Sequence, residues 1–141
     1  AEILGAYKTI DGDRDNPTSL DPINVARTIR EVLIDQETGQ LRDLDAAFTH
    51  ATSTREGDKL EAQSLRNVFG NHVKNIPITA IRSMLGHMLG GSGSESLVAA
   101  TQSLNKNIIP YTKNLENIDE EFKGCEEMKK WIHAAEATAK N

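Results

Sequence analysis

Apolar residues in this chain come in short bursts whose spacing switches between two residues and three or four, with glycine, proline or aspartate closing each burst. A period near 3.6 lines side chains along one face of a helix, and a period of two lines them along one face of a strand. A chain that alternates the two must build layers of both, which predicts an α/β fold rather than an all-α or all-β one.

The bursts can be placed one by one. Ile3 to Tyr7 reads as a strand that leaves the core for the turn-rich Asp11-Gly12-Asp13. Asp21-Pro22 is an N-cap with proline in the first turn, and Val25, Ile29, Val32 and Leu33 share one face of a helix over residues 22–35 that should pack on a sheet. Leu44 to Phe48 forms a second strand with Thr49-His50 at its end. A second helix starts at Gly57-Asp58, buries Leu60, Leu65, Val68 and Phe69, and stops at Gly70. Ile76, Ile78 and Ala80 alternate as a third strand. Gly86, Gly90, Gly91 and Gly93 make a glycine-rich turn before a helix from Ser94 to Leu104. From Asn114 to Asn141 the chain is polar, and Met128, Trp131 and Ile132 fit a helix stripe or a strand equally well.

Composition narrows the class. At 141 residues the chain fits one domain, 1–141. Its net charge of −5 and pI near 5.4, with lysine and arginine scattered, lack the basic stripe that nucleic-acid phosphates require. No apolar run approaches the roughly 20 residues that cross a bilayer, and the start AEILGAYKTIDGD has no positively charged leader region. The single cysteine, Cys125, cannot form an internal disulfide, which fits a reducing compartment, cytoplasm or organelle matrix.

Pattern alone favours structural roles for most polar residues. Gly86 to Ser92 has no lysine placed for a phosphate loop, and Gly91-Ser92-Gly93 meets Ser96 where a dinucleotide fingerprint needs glycine. A tight turn is the simpler reading. Among His50, His72, His87 and His133 no pair has zinc-ligand spacing, so no metal is expected. His72 lies in a polar turn. His50 and His87 each follow a predicted strand, where α/β sheets present functional groups. Thr52, Ser53 and Thr54 can cap the next helix or meet a polar ligand, and Cys125, flanked by Glu126 and Glu127, is a poor nucleophile.

These segments fall in one order, and there the chain resembles the β-ketoacyl-acyl carrier protein synthases. Thr49-His50-Ala51-Thr52-Ser53-Thr54 with Asp58 and Glu61-Ala62 is similar to the family's A-H-G-T-S-T, G-D and E-A stretch. Arg82-Ser83-Met84-Leu85-Gly86-His87-Met88-Leu89-Gly90 is similar to K-S-M-T-G-H-L-L-G, and Tyr111 to Asn117 to P-T-I-N-L-D-N. The resemblance implies the C-terminal half of a thiolase-like fold, layered sheet and helices, incomplete without an N-terminal half that carries the acyl-accepting cysteine. It implies that His50 and His87 are the two catalytic histidines that bind the malonyl thioester carbonyl during decarboxylative condensation. Thr52 and Thr54 match hydroxyls that contact the phosphopantetheine arm of acyl carrier protein. No intrinsic cofactor is implied, and the expected assembly is a homo- or heterodimer.

Four departures stand against the family pattern. Arg82 replaces a lysine, and Ser96 stands where its glutamate partner would be, with Glu95 one position early; the two changes suggest a rebuilt polar pair, Arg82 and Glu95 supporting the site. Ala51 and Leu85 replace a glycine and a threonine. The chain reaches Asn141 where the family continues into a gating loop. A non-catalytic, structural or chain-length-controlling homologue is therefore the alternative.

Overall fold

The computed structural model describes residues 1–10 and 21–116. Helix α1 runs from Pro22 to Leu33, opened by the Asp21 carboxylate, which accepts from the N–H of Ile23 at 2.8 Å. This satisfies one of the orphan donors of the first turn, a bond that contributes about 1 kcal/mol. Helix α2, Arg55–Phe69, starts two residues earlier than the glycine suggested and ends at Gly70, whose φ of +53° suits a residue without Cβ. A 3-10 turn, Gly70–Asn75, leads into the sheet.

That sheet is small. Strand β1, Ala47–Phe48, pairs in parallel with β2, Ile78–Thr79, in the register Ala47 with Ile78 and Phe48 with Thr79. Both faces of β2 are covered: Ile78 and Thr79 are 1% and 0% exposed, as expected of a parallel strand between layers. The alternation seen at Ile76, Ile78 and Ala80 therefore continues through equally buried Thr79 and Ile81. Leu65 of α2 joins Val73, Ile76 and Ile78 in the core, with Ile29 of α1 and Leu44, Ala47 and Phe69 against it. Each large aliphatic side chain so buried contributes roughly 1.5–3 kcal/mol. Helix α1 lies on α2 rather than directly on the strands, and the Ser64 hydroxyl donates to the carbonyl of Pro22 at 3.1 Å.

Beyond β2 the chain makes one helical turn, α3 (Arg82–Leu85), a 3-10 turn (Leu89–Gly91) and helix α4 (Ser92–Lys106). Helix α4 begins two residues before the predicted start, and an apolar groove of about 320 Å³ separates it from Met84 and Leu85. Its outer residues Leu97, Val98 and Leu104 are 50%, 62% and 64% exposed.

The predicted strand at Ile3–Tyr7 is not formed. Its backbone has no ladder partner among the described residues, and Ile3 and Leu4 stand mostly exposed. An apolar run becomes a strand only beside another strand, and here the nearest tie is a hydroxyl pair, Thr9 with Thr28 of α1, at 2.6 Å. The turn at Asp11–Asp13 and the segment holding Met128, Trp131 and Ile132 lie outside the described residues, as do Cys125 and His133.

Candidate active site

The site grows from the C-terminal end of the strand pair. Thr49 ends β1 with its N–H and its hydroxyl both donating to the carbonyl of Thr79, at 2.9 and 3.1 Å. The chain then leaves the sheet at His50, and carboxylates from the first turns of α2 catch it. One oxygen of Glu61 accepts from the N–H of His50 at 2.7 Å and the other from Ala51 at 2.8 Å, while Asp58 accepts from Ser53 at 3.2 Å. Ala51 and Ser53 hold positive φ angles, +24° and +64°, which cost side-chain-bearing residues roughly 1–2 kcal/mol each. These three bonds to carboxyl oxygens, each worth about 1 kcal/mol, offset that cost. Burial pushes the carboxyls of Glu61 and Asp58 up in pKa, and the N–H donors pull each partway back.

The second histidine arrives by another route. Residues 80–81 lead from β2 into α3, and Gly86, at φ +83°, turns the chain so that His87 comes back over the sheet end. His87 thus follows a helical turn and not a strand. Its ring meets that of His50 edge to face, with centroids 5.1 Å apart and planes at 87°. The hydroxyl of Ser92, at the first turn of α4, lies 2.9 Å from Nδ1 of His87 and accepts from the N–H of Met88 at 3.1 Å.

Arg82 joins the two halves of this arrangement. It is 8% exposed, and its two terminal nitrogens donate to the carbonyls of Thr49 and Ser92 at 2.8 and 3.1 Å. One guanidinium therefore spans the segment that carries His50 and the segment that positions His87. The expected pairing of Arg82 with Glu95 is not formed: among the described residues the buried Glu95 carboxylate has no hydrogen-bond partner, and neither has Nε of Arg82. Arg82 instead directs its two terminal nitrogens at the backbone carbonyls of Thr49 and Ser92. Burial, then the charge of Arg82 and then that of His87 lower the pKa of His50, so its imidazole is neutral at neutral pH.

A cavity of about 380 Å³ opens beside these groups, lined by Thr52, Ser53, Arg82 and His87 and, from the far side, by Thr112, Lys113 and Asn114. The far wall is stitched to the sheet. Thr79 donates to the carbonyl of Pro110 at 2.5 Å, Thr112 accepts from the N–H of Ala80 at 3.0 Å, and the N–H of Lys113 donates to Ser83 at 2.8 Å. The Thr52 and Thr54 hydroxyls are 3.3 Å apart; Thr54 occupies the N-cap position of α2 without making a side-chain capping bond. His72 is outside the site, exposed and 3.9 Å from Asp43. No group of three potential metal ligands occurs among the described residues.

Three contributors escape reading by pattern: Glu61, Asp58 and Ser92. Glu61 and Asp58 stand three apart in the first turns of a helix that follows His50, a spacing that puts both on one face. Ser92 carries no such signal, because a serine in a glycine-rich turn reads as a linker.

The three segments that converge here, around residues 49–58, 82–87 and 111–115, decide the family. The family model described as beta-ketoacyl synthase, C-terminal domain, matches residues 1–116. The chain belongs to this family. Its fold is accordingly the C-terminal part of the thiolase-like ketosynthase architecture, of which the parallel strand pair and its helices are the visible layers. Over 121 residues it is 31% identical to the protein assigned as actinorhodin polyketide beta-ketoacyl synthase 1 of Streptomyces coelicolor, covering 86% of this chain and 26% of that one. It is 39% identical over 83 residues to 3-oxoacyl-[acyl-carrier-protein] synthase 2 of Coxiella burnetii, covering 59% of this chain and 19% of the other. The synthase of the same name from Synechocystis is 42% identical over 72 residues, 51% of this chain and 17% of that one. The domain thus spans about a quarter or less of the length of these relatives. No solved structure gives a significant match. No helix among the described residues is long and apolar enough to cross a membrane.

Proposed function

We propose that this domain supplies the two imidazole donors of a decarboxylative Claisen condensation between malonyl-acyl carrier protein and an acyl group held on a cysteine of a partner half. The observation that carries the reading is the edge-to-face pair His50 and His87, 5.1 Å apart at the end of a parallel sheet and beside a cavity. In the reaction the bond between the malonyl carboxylate and its α-carbon breaks, carbon dioxide leaves, and the electron pair moves onto the thioester oxygen as an enolate. That carbon then attacks the acyl thioester, a carbon–carbon bond forms, and the cysteine thiolate departs. Charge develops on one oxygen, and preorganised N–H donors aimed at it are each worth about 3–4 kcal/mol. A neutral imidazole can donate without bringing a cation into the site, which suits the lowered pKa of His50. Thr52 lines the cavity and the Thr54 hydroxyl lies 3.3 Å from its own; these are the groups to meet the phosphopantetheine arm. Acyl carrier protein and a second ketosynthase chain are the expected partners, in a soluble compartment.

A non-catalytic ketosynthase-like subunit is the second reading, favoured by one observation: Ser96 stands where the resemblance calls for a glutamate paired with residue 82, and Glu95, one position early, is buried without a hydrogen-bond partner among the described residues. The experiment that separates the two is carbon dioxide release from malonyl-acyl carrier protein by a complete enzyme carrying this domain. Release that stops in His50→Ala and in His87→Ala supports the catalytic reading. Release unaffected by both changes, or absent from the parent, rejects it in favour of the second.

A further inference from the structure

Ser92 is a buried hydroxyl whose hydrogen bonding constrains the ring beside it. It is 2% exposed. Its Oγ accepts from the N–H of Met88 at 3.1 Å and lies 2.9 Å from Nδ1 of His87, while its own carbonyl accepts from Arg82. A serine hydroxyl has one proton to give and two lone pairs to fill. The Met88 N–H fills one lone pair, and among the described residues the acceptor within reach of the proton is the imidazole. If Nδ1 carried the hydrogen, two donors would point at Oγ and the proton of this buried hydroxyl would be left without a partner, at a cost of about 1–3 kcal/mol. We propose that Ser92 is a positioning residue that donates to Nδ1 of His87 and so fixes the imidazole in the tautomer with its hydrogen on Nε2. Arg82 holds the backbone of Ser92 in place, so the hydroxyl is aimed by the same guanidinium that ties down Thr49.

For catalysis, the proposal rests on the donor role given to His87 above: a ring locked with hydrogen on Nε2 is a ready donor, while the other tautomer presents a lone pair to the developing oxyanion. The tautomer itself can be read without substrate, so the two claims fail separately. Nitrogen-15 spectra of the imidazoles, recorded on the full 141-residue chain above the ordinary histidine pKa range, identify the protonated nitrogen of His87. The expected native spectrum has one dominant tautomer with Nδ1 as an acceptor. Ser92→Ala should lower the tautomer ratio of His87 about fivefold, the factor one ordinary hydrogen bond supports, while the signals of His50 stay in place. In a complete enzyme the same change should slow malonyl decarboxylation and leave cysteine acylation at its parental rate. A native His87 with hydrogen on Nδ1, or a ratio that Ser92→Ala leaves unchanged, overturns the proposal. Should Ser92→Ala fail to fold, the native spectrum alone still decides it. A tautomer as expected in an enzyme that releases no carbon dioxide would remove the catalytic reading and leave the positioning intact.

Discussion

Glu61 holds the backbone of His50: one carboxylate oxygen receives its N–H at 2.7 Å and the other receives that of Ala51 at 2.8 Å. An amide in place of the carboxylate has a single acceptor oxygen and turns an NH₂ toward the second donor. Glu61→Gln should therefore destabilise the chain by about 1–3 kcal/mol in urea unfolding. The same variant should change the pH dependence. Burial raises the folded pKa of Glu61, so the native chain binds that proton more tightly than the unfolded one. Its contribution is full below the ordinary carboxylate range and is lost as pH rises through the raised folded value. Asp58, also raised by burial, has the same sign. The Gln variant should show a shallower loss of stability across that window; a slope identical to the parent's would mean that Glu61 is not the group titrating there.

Arg82 bridges two carbonyls that belong to different segments, and only a planar fork reaches both. A lysine ammonium is a compact donor and would satisfy one carbonyl well, even though the resembling family carries lysine at this position. Arg82→Lys should cost about 1–3 kcal/mol, the penalty of leaving a buried carbonyl unmade. Unfolding at the parental denaturant midpoint would show that the bridge contributes nothing.

How much of this was legible in the sequence depended on whether a feature is local. The cap at Asp21, the stop at Gly70 and the apolar faces of α1 and α2 are set by residues within a few positions of one another, and all were readable. Strand Ile3–Tyr7 was misread because a strand is defined by a neighbour that spacing cannot name. His50 and His87 were found through the motifs around them. Their meeting depends on the turn at Gly86 and on Arg82, whose partners are carbonyls and so leave no trace in residue types. The expected Arg82–Glu95 pair is absent among the described residues: complementary charges suggested a bond, and the guanidinium is aimed at two backbone carbonyls instead. Ala51, standing where the family has glycine, is a position of positive φ, a backbone property that the sequence reading did not address.

The outer face of α4 carries Leu97, Val98 and Leu104, each at least half exposed. Exposed apolar side chains gathered on one helix can mark an interface, and the function proposed above gives this face an occupant, the partner half that carries the cysteine. The isolated chain should bind an environment-sensitive apolar dye and self-associate at high concentration. Replacing Leu97 and Val98 together by lysine should abolish both, with stability held within about 0.5 kcal/mol per substitution because the positions are exposed. A much lower melting temperature in the double variant would mean that this face is covered within the chain.

The histidines provide the decisive test of chemistry, and it is one of selectivity between steps. On the function proposed above, His50→Ala and His87→Ala would each remove a donor for a charge that exists only while carbon dioxide leaves and the new bond forms. In a complete enzyme each should lower malonyl decarboxylation by at least about a hundredfold, the typical loss for one oxyanion donor, while acylation of the partner's cysteine is affected far less. The pH response of His50 follows from its environment. Burial, Arg82 and His87 lower its folded pKa, so the unfolded chain binds the proton more readily, and stability falls as pH drops below the ordinary imidazole value. His50→Ala should remove that acid-side loss. The neutral form of His50 also survives further into acid than a free imidazole would. Parallel measurement of carbon dioxide release and enzyme acylation across pH resolves the assignments, and equal losses in both steps would make the two rings structural supports rather than oxyanion donors.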